Sequence, residues 1–385
     1  DRVLKNSEEY KVPNSTAEQL WKFMETDLTE AITSGKLTSK TSLEDRDGGT
    51  RATLEAARCL LGKIYLYQEK YADAKSELEK VISSGKYDLI ADVSTFYHPA
   101  SAGCKEYVLE CVRHYDPSNM YSQEGWFGIL ANWGFGYGFI AGPEASMHYK
   151  FNTTSGYSYF NPSKSLYDAF VAEEGADGYR LNAWIRTWEQ VIAMNIAVNT
   201  TTNKYASEGY FRLKWLASTD DEFVGYWCGN QSNTPVIRYA DVLLMAAEAC
   251  LQAGDQAGAD EYLGRVRDRA RLPRKSHVTL SDIKLERRLE LAMEGMRFQD
   301  LKRWGDAPAV LADKGKKLPT FQIVPDPNND LTTAAGIYNA RYTTKTTYVD
   351  NEKSLAGWTP NRDEWLPFPE NELEVNSNLK QNPGY

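Results

Sequence analysis

Apolar residues recur at helical spacing near the start of the chain. Residues 15–34 are predicted to form a helix, because Ser15 and Glu18 make the pattern of a capping box ahead of the first apolar positions. Two further helices are predicted at 51–69 and 71–84. The apolar face of the first helix is predicted to carry Leu20, Phe23, Leu28 and Ile32.

The predicted helices at 51–69 and 71–84 match the pattern of the 34-residue tetratricopeptide repeat, in which small residues let two helices cross closely. The same offsets return far downstream. The matching positions are Leu61, Gly62, Tyr65, Ala74, Leu78 and Val81 in the first unit and Ala246, Ala247, Cys250, Ala259, Leu263 and Val266 in the second. Two units with one spacing indicate a scaffold of helical hairpins, so the sequence predicts a mainly α fold.

The chain between the two repeat units has a different pattern. It is rich in Gly, Asn, Ser, Thr, Tyr and Trp and shows little periodicity, apart from a strand predicted at 106–112. The sequence therefore predicts one domain, 1–385, with four parts. These are a helical scaffold at 15–89, a large irregular loop-rich insertion at 90–235, the second repeat unit and a further helix at 236–305, and a loop-rich C-terminal segment at 306–385.

Composition and charge exclude several classes of protein. Of the 385 residues, 42% are hydrophobic and 25% are charged, which is typical of a globular protein. A net charge of -9 argues against a nucleic-acid partner, since duplex binding needs a concentrated basic face. The basic stretch at 265–275 is interleaved with acidic residues and is predicted to be a solvated helix face. No apolar run approaches the ~18 residues that a membrane-spanning helix needs.

Cysteine and histidine give no indication of a metal site. The five cysteines show no CxxC spacing and the four histidines are scattered, so the sequence predicts neither a metal nor a cofactor. Cys59 and Cys250 lie in apolar helical contexts and are predicted to be buried thiols. Cys104 and Cys111 have a spacing that could pair across a hairpin, but the odd number of cysteines argues against a disulfide framework.

Three longer motifs follow one another along the chain. They are PVIRYADVLLMAAEA at 235–249, ERRLELAMEGMRFQDLKRWG at 286–305 and EWLPFPENELEVNSNLKQNPGY at 364–385, and NPSKSLYDAF at 161–170 precedes them, followed by DGYR at 177–180. Together they closely resemble the SusD/RagB family of Bacteroidota outer-membrane nutrient-binding lipoproteins. The resemblance implies a mostly helical SusD-like fold, with an irregular ligand-binding part beside the tetratricopeptide hairpins.

The same resemblance implies a function. It is the non-catalytic capture of oligosaccharides at the extracellular face of the outer membrane, followed by delivery to a SusC-like TonB-dependent transporter. The chain opens at Asp1, and we expect the lipoprotein signal, the lipidated cysteine and the first helices of the family to lie outside this sequence. A peptide-binding member of the RagB type is the alternative within the family.

The charged residues of the second motif are predicted to be structural. We expect one helix at 281–304, opened by Ser281 and Asp282, whose acids and arginines pair with one another and with loops. QNPGY is predicted to be a docked chain end that buries the ring of Tyr385. Lys214 and Arg238 are also interpreted as structural rather than as ligand contacts.

Sugar recognition needs exposed aromatic rings beside planar polar side chains, because a pyranose has an apolar C–H patch and a rim of hydroxyls. The chain has 24 tyrosines and 10 tryptophans, and the insertion concentrates them in two clusters. If the stretch around Phe135 and Phe139 is extended, those rings share one packed face. The second cluster contains Tyr210, Trp215, Tyr226 and Trp227. The residues predicted to bind sugar are Trp126, Asn132, Trp133 and Tyr137 in the first cluster and Tyr226, Trp227 and Asn230 in the second.

An enzyme is the remaining alternative. The acidic run at 220–222 could supply carboxylates for glycoside hydrolysis, which needs two such groups about 5–10 Å apart across a cleft. Adjacent acids point in different directions and give no such pair. The chain also lacks an HExxH motif, a P-loop and a nucleophile elbow, so the sequence predicts no catalytic site.

Overall fold

A computed structural model of the chain describes residues 11–112, 161–187, 208–214, 233–325, 342–351 and 356–385, together with residues 9, 139–140, 189–190, 197–198 and 204–205. This part of the chain contains eleven α-helices and nine strands. The helices, in chain order, are α1 (Ala17–Thr33), α2 (Leu54–Tyr67), α3 (Tyr71–Ser83), α4 (Lys164–Glu174), α5 (Tyr179–Trp184), α6 (Tyr239–Gln252), α7 (Gln256–Arg269), α8 (Leu280–Glu290), α9 (Arg297–Arg303), α10 (Ala307–Val310) and α11 (Glu370–Val375).

The strands form four small antiparallel sheets. β1 pairs with β7, β2 with β4, β3 with β6, and the last sheet has the order β5-β8-β9. The strands are β1 (Tyr107–Cys111), β2 (Phe139–Ile140), β3 (Ile185–Thr187), β4 (Ala197–Val198), β5 (Lys204–Tyr205), β6 (Tyr210–Arg212), β7 (Thr234–Arg238), β8 (Lys317–Pro325) and β9 (Tyr342–Asp350). β1 confirms the strand predicted at 106–112. The mainly α fold is confirmed as well.

The first helix is confirmed, but its cap is one residue later than predicted. Thr16 rather than Ser15 caps α1, since its side chain accepts a hydrogen bond from the Gln19 amide while the Gln19 side chain bonds back to Thr16. No residue of α1 is buried. Leu20 and Phe23 of the predicted apolar face are 49% and 61% exposed.

Helices α2 and α3 form the first predicted hairpin. The two helices cross at Gly62, where a β-carbon would lie 2.8 Å from Cγ of Leu78. A glycine is therefore required for this close approach. Ala74, Leu78 and Val81 of α3 are fully buried against the neighbouring helices, as the repeat pattern predicts.

Helices α6 and α7 form the second hairpin. Every residue of α6 from Tyr239 to Cys250 is buried, because α6 lies between α3 and α7 with α8 against it. Ala259, Leu263 and Val266 of α7 complete this core. Both hairpins thus have the packing expected of tetratricopeptide units.

The prediction of a single helix at 281–304 is wrong, since the chain forms two helices, α8 and α9, with a turn between them. Met293 (φ 65°) and Gly295 (φ 81°) adopt the left-handed conformation, which an α-helix cannot continue through. The start also differs: Thr279 caps α8 in a capping box with Asp282, and Ser281 lies inside the helix.

A second core joins the insertion to the repeat scaffold. Phe96, Tyr107, Phe170 and Trp184 of the insertion are buried together with Leu289 of α8. Phe170 and Trp184 meet edge to face, with ring centroids 6.3 Å apart. This core fixes α4 and α5 against α8.

The four described cysteines agree with the sequence analysis. Cys59 and Cys250 are buried, as predicted. Cys104 and Cys111 are free thiols: Cys104 is buried before β1 begins, whereas Cys111 is exposed at the end of that strand. Among the described residues, no helix combines the length and apolar character that a membrane crossing requires.

The C-terminal segment is docked, as predicted, through the amide side chains of its motif. The Gln381 amide accepts a hydrogen bond from the backbone N–H of Phe368 (2.8 Å) and donates one to its carbonyl (3.0 Å). Asn378 donates a hydrogen bond to the Lys11 carbonyl (2.7 Å), so the C-terminal segment is tied to the stretch that precedes α1. The ring of Tyr385 is not buried, because it is 48% exposed.

Candidate ligand-binding site

The residues predicted to bind sugar lie outside the described residues: Trp126, Asn132, Trp133, Tyr137, Tyr226, Trp227 and Asn230. The structure does describe the elements that precede and follow them. The first cluster is followed directly by β2, which pairs with β4. The predicted sugar contacts of the second cluster lie in residues 215–232, between Lys214 and Asn233. What the structure defines is how these stretches are anchored.

Lys214 anchors the start of the second stretch. Its ammonium donates hydrogen bonds to the carbonyls of Glu290 (3.0 Å) and Ala292 (3.1 Å) and to the Glu294 carboxylate (2.5 Å). It also lies 3.7 Å from the ring centroid of Trp184. Burial lowers the pKa of Lys214 to about 8, although the Glu294 carboxylate acts in the opposite direction. The buried, hydrogen-bonded ammonium fits the structural role predicted for Lys214.

These contacts also give a role to the turn between α8 and α9. Where a helix ends, the last carbonyls have no partner within it. The Glu290 carbonyl is such a group at the end of α8, and the Ala292 carbonyl lies in the turn that follows. The Lys214 ammonium donates a hydrogen bond to each.

Asn233 anchors the other end of the stretch. Its side-chain amide donates a hydrogen bond to the Glu110 carboxylate (2.9 Å), which also accepts one from the backbone N–H of Gly103 (2.9 Å). Burial raises the pKa of Glu110, and these hydrogen bonds oppose that rise. Residues 215–232 therefore start and end at buried, hydrogen-bonded side chains.

A buried charge network adjoins the Lys214 anchor, and Glu290 is at its centre. The Glu290 carboxylate accepts hydrogen bonds from Arg180 (3.0 Å), Arg238 (3.1 Å) and Arg269 (2.5 Å). Burial raises the pKa of Glu290, but attraction to these arginines outweighs burial and holds the pKa far below the usual 4.5. One carboxylate thus joins α5, β7, α7 and α8.

Further ion pairs extend this network on both sides. Arg180 belongs to the insertion, whereas Arg267 and Arg269 belong to the repeat scaffold, so the pairs fasten one to the other. Arg267 and Arg269 lie in the stretch predicted to be a solvated face. That prediction is wrong for these two residues, whose side chains are only 4–5% exposed, whereas Arg274 in the same stretch is 46% exposed. The remaining pairs are Arg180–Glu174, Arg180–Glu286, Arg238–Glu106, Arg238–Glu294, Arg267–Glu173, Arg267–Glu286 and Arg269–Glu106.

A second group of ion pairs holds α9 against α6. Arg287 donates to Asp241 (2.8 Å) and to Asp300 (2.9 Å), and Arg303 pairs with Glu248. All of these side chains are buried. The structural role predicted for the charged residues of 286–305 is therefore consistent with where these side chains lie.

The sequence analysis found one aromatic surface only in part, since it placed Tyr210 in the second cluster but did not identify its neighbours. We call this surface the tyrosine cluster: Tyr167, Tyr210 and Tyr348 with Glu208. The rings of Tyr167 and Tyr210 stack with centroids 4.5 Å apart and planes inclined by 26°. The Tyr348 hydroxyl donates a hydrogen bond to Glu208 (2.5 Å). This bond and burial raise the pKa of Tyr348 to about 12.

One group of metal-ligating side chains occurs among the described residues. The ligand atoms of Glu79, Cys250 and Asp255 lie within 4.8 Å of one another. Lys75 already pairs with Asp255 at 2.7 Å. Burial raises the pKa of Cys250 to about 12, so the thiol stays protonated near neutral pH and does not offer the thiolate that zinc prefers. This group does not have the character of a metal centre.

The comparisons with known proteins all find SusD or SusD-like proteins. A family model described as the SusD family matches residues 105–385. A SusD-like protein of Bacteroides ovatus is 31% identical over 170 residues, which are 39% of this chain and 29% of that protein. SusD-like protein P2 of Formosa agariphila is 26% identical over 362 residues, which are 86% of this chain and 59% of that protein. The chain therefore spans less than two thirds of the length of either relative.

A solved structure described as a laminarin binding SusD-like protein is similar over most of the chain. It is 27% identical with a TM-score of 0.72, and the match covers 96% of this chain and 70% of that one. The resemblance indicated by the sequence motifs is thus confirmed by sequence and by fold.

Proposed function

The chain belongs to the SusD family, and from that premise we propose that it binds oligosaccharides at the cell surface and passes them to a SusC-like TonB-dependent transporter. In this proposal a lipid anchor outside the given sequence holds the protein on the extracellular face of the outer membrane. The protein releases its ligand unchanged.

The observation that carries the proposal is the likeness to the laminarin binding SusD-like protein, which extends over 96% of the chain. Because folds host many functions, it supports a class of ligand and leaves the particular sugar to experiment.

The composition of the insertion supports the same ligand class. Trp126, Trp133 and Trp227 are proposed as platforms for pyranose rings, with Asn132 and Asn230 bonding to sugar hydroxyls. Aromatic rings suit this task because they give a large apolar face at little conformational cost. The buried networks around Lys214 and Asn233 would hold the second cluster in place, which lowers the entropy lost on binding.

Calorimetry with single substitutions tests the proposed platforms. Trp126→Ala, Trp133→Ala and Trp227→Ala are each expected to weaken binding of laminarin oligosaccharides, or of whichever sugar in a panel binds best, by about 1–3 kcal/mol for a central ring. Trp365→Ala is the matched control. Trp365 is 50% exposed in the C-terminal segment, outside the insertion, and its loss should leave the affinity unchanged.

The outcomes separate the alternatives. Unchanged affinity in all three insertion variants would show that these rings are not platforms. Binding of peptides in place of sugars would favour a RagB-type ligand, for which backbone pairing rather than ring stacking supplies the affinity. Release of reducing ends from a glycan by the purified protein would contradict the non-catalytic role.

A further inference from the structure

We propose that the tyrosine cluster is a second contact surface for the oligosaccharide, with the exposed ring of Tyr348 stacking on a neutral pyranose. This inference rests on the proposed function and adds a contact that the aromatic clusters at 126–137 and 226–230 do not include. It concerns described residues only.

The first reason is the state of the Tyr348 ring. Tyr348 lies on β9 and is 49% exposed, although a tyrosine can bury most of its ring in a core. Its hydroxyl is held by Glu208, so the ring has lost much of its freedom before any ligand arrives. A tethered ring loses less entropy when a sugar stacks on it, as a binding platform requires.

The second reason is the position of Glu208 at the first turn of α4. Its carboxylate accepts hydrogen bonds from the Lys164 backbone N–H and from the Tyr348 hydroxyl. A carboxylate near a helix N-terminus is favoured by the helix dipole. Within the described structure these two bonds use two of about four acceptor positions. The remaining positions can accept from sugar hydroxyls beside the ring.

The third reason is the charge beside Tyr210 and Glu208 of the cluster, which selects the kind of sugar. Lys164 and Asp168 pair at 2.6 Å on α4, with side chains 56% and 53% exposed. With Glu208 the group carries two carboxylates and one ammonium. An acidic or sulfated sugar would be repelled, whereas hydroxyls of a neutral sugar can donate to the carboxylates and accept from the ammonium.

The fourth reason is the connection to the proposed site. Tyr210 stacks on Tyr167 in the same cluster, and it lies in β6. From β6 the chain continues through the buried anchor Lys214 into 215–232, which carries Tyr226 and Trp227. An oligosaccharide that reaches both surfaces would gain affinity from two linked contacts.

The experiment removes the ring and the tether separately. Tyr348→Thr deletes the ring while keeping strand propensity, since β9 already carries four threonines. Tyr348→Phe keeps the ring and removes the tether. Both variants and Trp365→Ala are titrated calorimetrically with laminarin oligosaccharides and a panel of neutral hexasaccharides, and circular dichroism checks the fold of each.

We expect Tyr348→Thr to raise the Kd about tenfold and Tyr348→Phe to raise it by less than about threefold, because the ring face supplies most of the contact. Trp365→Ala should bind like the wild type. A Kd for Tyr348→Thr within about twofold of the wild type would overturn the inference. Equal losses of affinity in Tyr348→Thr and Tyr348→Phe would also overturn it, because the hydroxyl bond to Glu208, and not the ring face, would then account for the whole effect.

The same titrations distinguish this inference from the proposed function. If the wild type binds no sugar in the panel, the proposed function fails and this inference fails with it. If the wild type binds and the tryptophan variants of the insertion lose affinity while Tyr348→Thr does not, the proposed function stands and only the second contact surface is wrong.

Discussion

Replacing Glu290 by glutamine removes the charge at the centre of the buried network without changing the size of the side chain. Glu290 has no exposed surface, and its two oxygens accept hydrogen bonds from Arg180, Arg238 and Arg269. Glutamine keeps one acceptor oxygen and places an NH2 donor where the other oxygen faced a guanidinium. The variant therefore loses its ion pairs with the arginines and brings two donors together.

The size of the loss follows from these contacts. Hydrogen bonds to charged groups contribute about 1.5–3 kcal/mol each, so three of them set an upper bound of about 9 kcal/mol. Two effects reduce this value. Each arginine keeps at least one other carboxylate partner, such as Glu106 for Arg269. In addition, the folded variant no longer bears the cost of burying the Glu290 charge. Removing one partner of a buried ion pair typically costs about 3–5 kcal/mol, and we expect that loss here.

Equilibrium unfolding in urea, followed by tryptophan fluorescence and circular dichroism, measures the effect as a change in the free energy of unfolding. The matched control is Glu261→Gln. Glu261 pairs with Arg274 at 2.6 Å, but the side chains are 53% and 46% exposed, so its loss should be less than about 1 kcal/mol. If Glu290→Gln loses no more stability than Glu261→Gln, the buried network does not stabilise the fold as described.

Three further predictions follow from particular contacts. Gly209→Ala should lower the free energy of unfolding by about 2 kcal/mol, because Gly209 has φ +89° and a β-carbon would lie 2.6 Å from the Phe321 ring. Thermal unfolding of the variant and the wild type measures this loss. The pKa of Glu290 is lowered in the folded protein, so its contribution to the free energy of unfolding is complete above the usual 4.5 and is lost as the pH falls below that value. Urea unfolding between pH 7 and pH 3 should therefore show a smaller loss of stability on acidification for Glu290→Gln than for the wild type. Asn378→Ala should increase hydrogen exchange at 11–14, since Asn378 bonds the Lys11 carbonyl, and equal protection in the two proteins would contradict this.

The repeat scaffold could be predicted from sequence because its signals are local. Gly62 and the small residues of 246–247 recur at fixed spacing, and helix crossing depends on side chains within one hairpin. The break between α8 and α9 could not be predicted in this way. The turn is stabilised in part by Lys214, whose bond to the Glu290 carbonyl joins residues 76 positions apart.

In the candidate site, too, local features could be predicted from the sequence and long-range contacts could not. The sequence indicated that the charges of 286–305 are structural, since opposite charges recur at helical spacing. It did not identify their partners. It also placed Arg267 and Arg269 on a solvated face, because only the fold brings Glu286 to Arg267 and Glu290 to Arg269. The tyrosine cluster has no local signal either: Glu208 and Tyr348 are 140 positions apart.

The central claim is that this chain binds oligosaccharides, and a glycan array probed with the purified protein tests it most directly. The account predicts retention on at least one neutral oligosaccharide, with laminarin fragments the first to examine, and no cleavage of the bound sugar. Absence of binding to every glycan on the array, together with saturable binding to a peptide library, would contradict it.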